Sequence, residues 1–203
     1  MATPTVANII LGGALVYYAP VAETVPDETT VTAGTAWGGN WARVGYTKAP
    51  VTFQYEDEHF KAEVEEELTA VKGRRISENA TLETVLAEVT AAYLNLAMGG
   101  TVTSTAAGAG QAANESLPVG GTATLPFYAY GFEGTYVNSS GVSFPVRFFI
   151  HKGVAKLNGP LTFSNRNSEY PGISLSIEAY ADTTQSAGGK LFRFERVTAV
   201  ATS

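Results

Sequence analysis

Cysteine is absent from the 203 residues, which excludes disulfides, thiolate zinc sites, iron–sulfur clusters and thiol nucleophiles together. Histidine is almost absent: His59 and His151 are the only two, far apart in sequence, so one copy cannot assemble an imidazole-rich metal site. Long apolar runs are missing too. Residues 9–19 form an apolar stretch interrupted by Gly12 and Gly13, about half the ~20 residues a membrane helix requires. Residues 1–8 carry no Lys or Arg, so the basic leader of a secretion signal is lacking, and synthesis in a cytoplasm is expected. No G-x-S-x-G elbow occurs, and neither "GGALVYY" nor "GAGQAANES" is followed by a P-loop lysine or matches the dinucleotide fingerprint. No catalytic residue, cofactor site or metal site is therefore assigned, and the chain is not expected to be an enzyme.

What is present favours sheets. Gly 21, Tyr 10 and Phe 10, with abundant Thr and Val against only 16% charged residues, describe a mainly β chain. Its length suits one domain spanning residues 1–203. The opening "IILGGALVYYAPV" reads as a strand stopped at Pro20, the first part of an N-terminal strand and arm over residues 1–40 that carries Trp37. Strand character returns over residues 41–46 and 51–55. "EDEH" at 56–59 reads as an acidic turn, and residues 60–71 as a longer strand.

Residues 77–98 show helical spacing, with Leu82, Val85, Leu86, Val89, Tyr93 and Leu96 on one face. Asn79 or Thr81 would cap the start and Gly99–Gly100 the end, which gives a helix over about 80–98. Residues 99–121 are mostly Gly, Ala, Ser and Thr and read as a long loop with a weak strand at 101–105. Alternation then resumes. Leu125, Phe127 and Ala129 share one strand face, as do Phe144, Val146, Phe148 and Ile150, with Pro126 and Pro145 marking edges or bulges. A hairpin from 154–157 through "NGP" to 161–163, inward Ile173, Leu175, Ile177 and Ala179, and a last strand in "LFRFERV" complete the pattern.

Charge is concentrated. Residues 56–67 hold seven acidic residues and one lysine, a balance of −6 that equals the formal charge of the whole chain. If 60–71 is a strand, Phe60, Ala62, Val64 and Leu68 face the core while Lys61, Glu63, Glu65 and Glu67 share one exposed face. In a ring of subunits that stripe would line a channel. The alternative is that an exposed strand face is simply polar. Facing carboxylates of glycosidase type are not expected from consecutive glutamates on an open strand, and "EDEH" is too generic a set to assign calcium. His59 and His151 read as surface residues.

The order of these segments resembles the major tail tube proteins of siphophages, the bacteriophages with long non-contractile tails. The resemblance is carried by "IILGGALVYYAPV", "WGGNWARVGYTKAPVTFQYEDE", "KAEVEEELTAVKGRR", "ENATLETVLAEVTAAYLNLAMGG" and "YPGISLSIEAYAD". It implies a β-sandwich or barrel-like domain with a flanking helix, in hexameric rings stacked into a hollow tube that conducts viral DNA without sequence-specific binding. It further implies a virion location, no membrane partner, and contacts with tail terminator, tape measure and distal tail proteins. Lys61, Glu63, Glu65 and Glu67 would then face the lumen. Residues 20–37 and 99–121 would contact other subunits, with Tyr17, Trp37, Trp41 and Tyr46 as candidate anchors or else as core aromatics. Other tube or decoration proteins of virions and secretion systems, and carbohydrate-binding sandwiches, are the alternatives.

Overall fold

The structure is a computed structural model and describes residues 10–26, 34–121, 124–138, 140–161, 163 and 170–199. In chain order the elements are β1 (Ile10–Pro20), β2 (Ala42–Arg43), β3 (Thr52–Ala62), β4 (Lys72–Leu86), α1 (Ala91–Met98), β5 (Thr103–Thr105), β6 (Asn114–Ser116), β7 (Tyr128–Val137), β8 (Ser143–Leu157), β9 (Ile173–Ala179) and β10 (Phe192–Arg196). The main sheet has the order β2-β1-β7-β8-β9-β4-β3, with β10 also on β8, and β5 and β6 form a separate small hairpin. The pairings are antiparallel.

β8 makes one sheet into two layers. Val146 to Ile150 pair with β10, whereas Gly153 to Leu157 pair with β9, and the register of β8 against β7 slips between the two halves. The strand therefore leaves one layer and enters the other, giving a sandwich-like fold that does not close into a barrel. Aromatic rings fill the space between: Phe53 of β3 lies 5.0 Å from Phe148 of β8, 5.0 Å from Phe192 of β10 and 6.2 Å from Phe132 of β7. Leu82, Tyr130, Ile150, Ala155 and Ile177 are sealed beside them. Each fully buried aliphatic side chain there contributes about 1.5–3 kcal/mol. Ile173, Leu175 and Ile177 alternate inward as the sequence implies, while Ala179 is only partly covered. Pro145 sits beyond the last β10 pair, Arg196 with Val146, where no ladder donor is required.

Several expected elements are displaced. The acidic "EDEH" segment is not a turn; it belongs to β3, and the chain turns over residues 63–71 instead. The expected strand 60–71 thus ends at Ala62, and Phe60, Val64 and Leu68 are exposed rather than inward, Leu68 at 106%. Beyond Tyr55 no second layer lies beneath this hairpin among the described residues, and its apolar residues at period two are exposed. The expected helix is halved. Residues 77–86 are strand, because Ala80, Leu82, Thr84 and Leu86 satisfy a period of two as well as Leu82 and Leu86 satisfy a helical step. Its start is capped by Thr90, whose hydroxyl accepts from the Tyr93 amide at 3.2 Å, not by Asn79 or Thr81; its end is at Gly99, φ 68°. Only Ala42–Arg43 of 41–46 is strand, and Leu125 and Phe127 precede β7. Leu161 and Phe163 lie outside the strands, and the hairpin partner of β8 is β9.

Candidate assembly surface

β4 pairs with β9 only from Thr81 to Leu86, whereas β3 and β4 stay paired from Thr52–Glu83 out to Ala62–Lys72. The outer half of the β3–β4 hairpin is therefore a two-stranded ribbon projecting past the sandwich, exposed from Tyr55 to Lys61 and from Lys72 to Asn79. It passes the start of β10: the Tyr55 ring lies 5.5 Å from Phe192, and there a cleft is walled by Tyr55, Arg75 and Glu78 on one side and Gly188, Lys190, Leu191 and Phe192 on the other.

The ribbon is stitched by charge. Arg75 Nε donates to Asp57 Oδ2 at 3.0 Å, His59 Nε2 lies 2.9 Å from the same oxygen, and Arg75 also pairs with Glu78. The His59 hydrogen bond, aided by Arg75, holds the Asp57 carboxyl below its ordinary value. A bulge between Glu58 and His59 in the β3–β4 register brings His59 opposite Arg75. Lys61 is on the ribbon, and Glu63, Glu65 and Glu67 are in its loop tip, all but unscreened by protein. They form a cluster at a tip instead of a stripe along a strand.

The four aromatic candidates divide. Tyr17 and Trp37 are buried inside the chain, stacked at 4.2 Å, with Phe149 at 5.1 Å and the partly covered Trp41 at 5.0 Å from Trp37. Trp41 Nε1 donates to the Thr24 carbonyl at 2.8 Å. Tyr46 is 66% exposed, with the Arg43 guanidinium 5.0 Å from its ring centre.

A family model described as phage tail tube protein matches residues 1–156. The chain belongs to the phage tail tube protein family. No curated protein matches it. The match ends at the close of β8, so β9 and β10 of the tail tube protein lie outside it.

Sequence reading missed the main polar feature of the tail tube protein. Glu133 of β7 and Arg147 of β8 are paired across the ladder and buried, 2.6 Å apart. Glu133 Oε1 also accepts from the Gly34 amide at 2.6 Å, and Oε2 from Trp37 Nε1 at 3.2 Å. One carboxylate thereby fastens the arm to the outer face of the sheet. A charged residue amid "YGFEGTY" and another amid "FPVRFFI" are the signal: opposite charges at apolar strand positions pair when buried.

His151 is also misplaced by the sequence reading. It is buried beside a cavity of about 430 Å³ walled by Glu23, Trp41, Asp182, Thr184 and Arg193 among others. Burial holds its imidazole below the ordinary value; the Asp182 carboxylate opposes this and Arg193 adds to it. Asp182 is itself fixed by Thr184 Oγ1 at 2.7 Å and the Thr184 amide at 3.0 Å, which lower its carboxyl. Among the described residues no group of three His, Asp or Glu side chains could hold a metal, and no helix is long and apolar enough to cross a membrane.

Proposed function

We propose that this tail tube protein assembles into hexameric rings that stack into a hollow tail tube of a siphophage and conduct viral DNA during ejection. The observation that carries this reading is the β3–β4 ribbon. A lone two-stranded ribbon is marginal in water, yet this one extends past the core with Phe60, Val64, Leu68, Val71 and Ile76 exposed. Cover from another copy stabilises it, and an open-ended stack supplies that cover to every copy but those at the ends. Lys61, Glu63, Glu65 and Glu67 then form an acidic collar at the lumen. Repulsion over about 8 Å at physiological salt keeps DNA from adhering to the wall. Tyr46 is retained as an anchor between subunits, and terminator, tape measure and distal tail proteins meet the ends of the tube in the virion.

Negative-stain electron microscopy of the concentrated protein tests the proposal. Rings or tubes with an open lumen are expected, and a variant with residues 63–70 replaced by a short Gly-Ser turn should lose stacking while remaining folded. Compact monomers at all concentrations, even with terminator or distal tail protein added as nucleus, would overturn it.

A further inference from the structure

The cavity beside His151 plays no part in the proposed assembly. It lies between the arm at residues 22–25 and Trp41, the face of β7 and β8 that carries Ala129, Phe149 and His151, and the loop from β9 to β10. Its volume of about 430 Å³ is that of a small-molecule site. His151 is only 9% exposed, faces this space, and has no hydrogen-bond partner among the described residues. A buried imidazole left unbonded costs stability, and an apolar residue would suit the position better unless something bonds the ring.

The charges around the ring select what that is. From the arm comes Glu23, which accepts from Asn40 Nδ2 at 2.7 Å, and from the β9–β10 loop Asp182, which accepts from Thr184 and Gln185. Neither carboxylate is in an ion pair among the described residues. Arg193 of β10 is the one cation among the described residues lining the cavity, and its guanidinium is paired with Glu195. Lys152, next to His151 in β8, lies on the opposite face with its ammonium 4.4 Å from the Phe127 ring centre, and β7 offers only Ala129. The space is therefore net negative and disfavours an anion. No group of three His, Asp or Glu side chains is gathered there for a metal ion. An ammonium on an aliphatic chain fits instead, since its N–H groups need acceptors and its methylenes need apolar walls. Trp41 and Phe149, with rings 6.4 Å apart, supply such walls. The acceptors are preset: the Tyr180 amide donates to the Lys152 carbonyl at 2.7 Å and the Asp182 amide to the Lys190 carbonyl at 2.9 Å, which pins the loop against β8.

We infer that this cavity binds an aliphatic ammonium group, with its N–H donors taken up by His151 and Asp182, its chain on Trp41 and Phe149, and Glu23 adding negative potential from the arm. The inference stands apart from the reading of the chain as a tube subunit. With only two histidines in the sequence, His59 on the ribbon serves as the internal control. The imidazole NMR signals of the unassembled full-length chain are followed at low salt and near-neutral pH while putrescine, n-butylamine or Nα-acetyl-lysine amide is added, with acetate as the anionic control.

A saturable shift of the His151 signal with amine and none with acetate is expected, His59 staying in place. Amine should also lower the pH at which His151 titrates, since ammonium and proton compete for one ring nitrogen. Glu23→Gln and Asp182→Asn should each weaken binding about tenfold. Putrescine binding much more tightly than butylamine identifies a free diamine as occupant; the lysine derivative matching putrescine identifies a lysine side chain of a partner. No saturation by any amine up to about 10 mM, equal shifts at both histidines, or unchanged binding in the two variants would overturn the site. If Asp182→Asn fails to fold, Glu23→Gln alone decides.

Discussion

Glu133 is the residue on which the arm depends. Its two oxygens hold Arg147, Trp37 and the Gly34 amide in one buried contact. Removing one partner leaves the other charge buried, so Glu133→Gln or Arg147→Met should cost about 3–5 kcal/mol in urea unfolding. Replacing both by apolar residues removes the buried charges together but leaves the Trp37 and Gly34 N–H groups without their acceptor, so part of the loss should remain. Gly131 makes the room for Trp37: a Cβ there would meet the indole at 2.5 Å. Gly131→Ala should therefore expel Trp37 and shift tryptophan fluorescence to the red. His151 gives a pH signature. Its folded value lies below the unfolded one, so the unfolded chain takes up the proton first as pH falls. Stability should drop as pH falls below about 6.5 and level off once the folded imidazole is charged. Thermal melts between pH 7.5 and 5 measure this, and His151→Phe should flatten the slope in that window. Asp182 adds a second loss at lower pH, because its folded value is depressed below the usual carboxylate value.

Among the elements, a core beneath a strand was not enough to make it legible: β7 buries Tyr130 and Tyr136, yet the sequence offered only the face Leu125, Phe127 and Ala129, two of whose members precede it. β1, β9 and β10 lie within a residue or two of the expected strands, whereas β8 joins the expected strand through Ile150 and the expected hairpin arm 154–157 into one element that buries both faces. The outer half of the long hairpin was misread because alternation says which face a strand buries only if there is something to bury it against. Leu82 and Leu86 also fit two periods at once, which turned β4 into helix on paper. The surviving helix is short, 8 residues, and depends on its ends. Thr90→Ala should cost about 1 kcal/mol by losing the hydroxyl that accepts from Tyr93, read from the denaturant midpoint at unchanged slope. The concentration of acidic residues is legible by counting charge; its place at a tip is not, since charge counting is blind to where a strand ends. The aromatics were found as a group, and burial then separated Tyr17 and Trp37 from Tyr46.

For the molecule as a whole, the proposed assembly should depend on salt, because of its acidic ribbon tip. Screening of the crowded carboxylates at 63, 65, 66 and 67 should favour polymerisation as salt is raised from 20 to about 150 mM, monitored by light scattering. Glu63→Gln with Glu65→Gln and Glu67→Gln should weaken that dependence. The path of β8 sets the mechanics of such a polymer. Because one continuous backbone passes from the first layer to the second, the layers cannot shear past each other without breaking ladder bonds in both. Each subunit is then a stiff brick, and a tail that bends must do so at its joints.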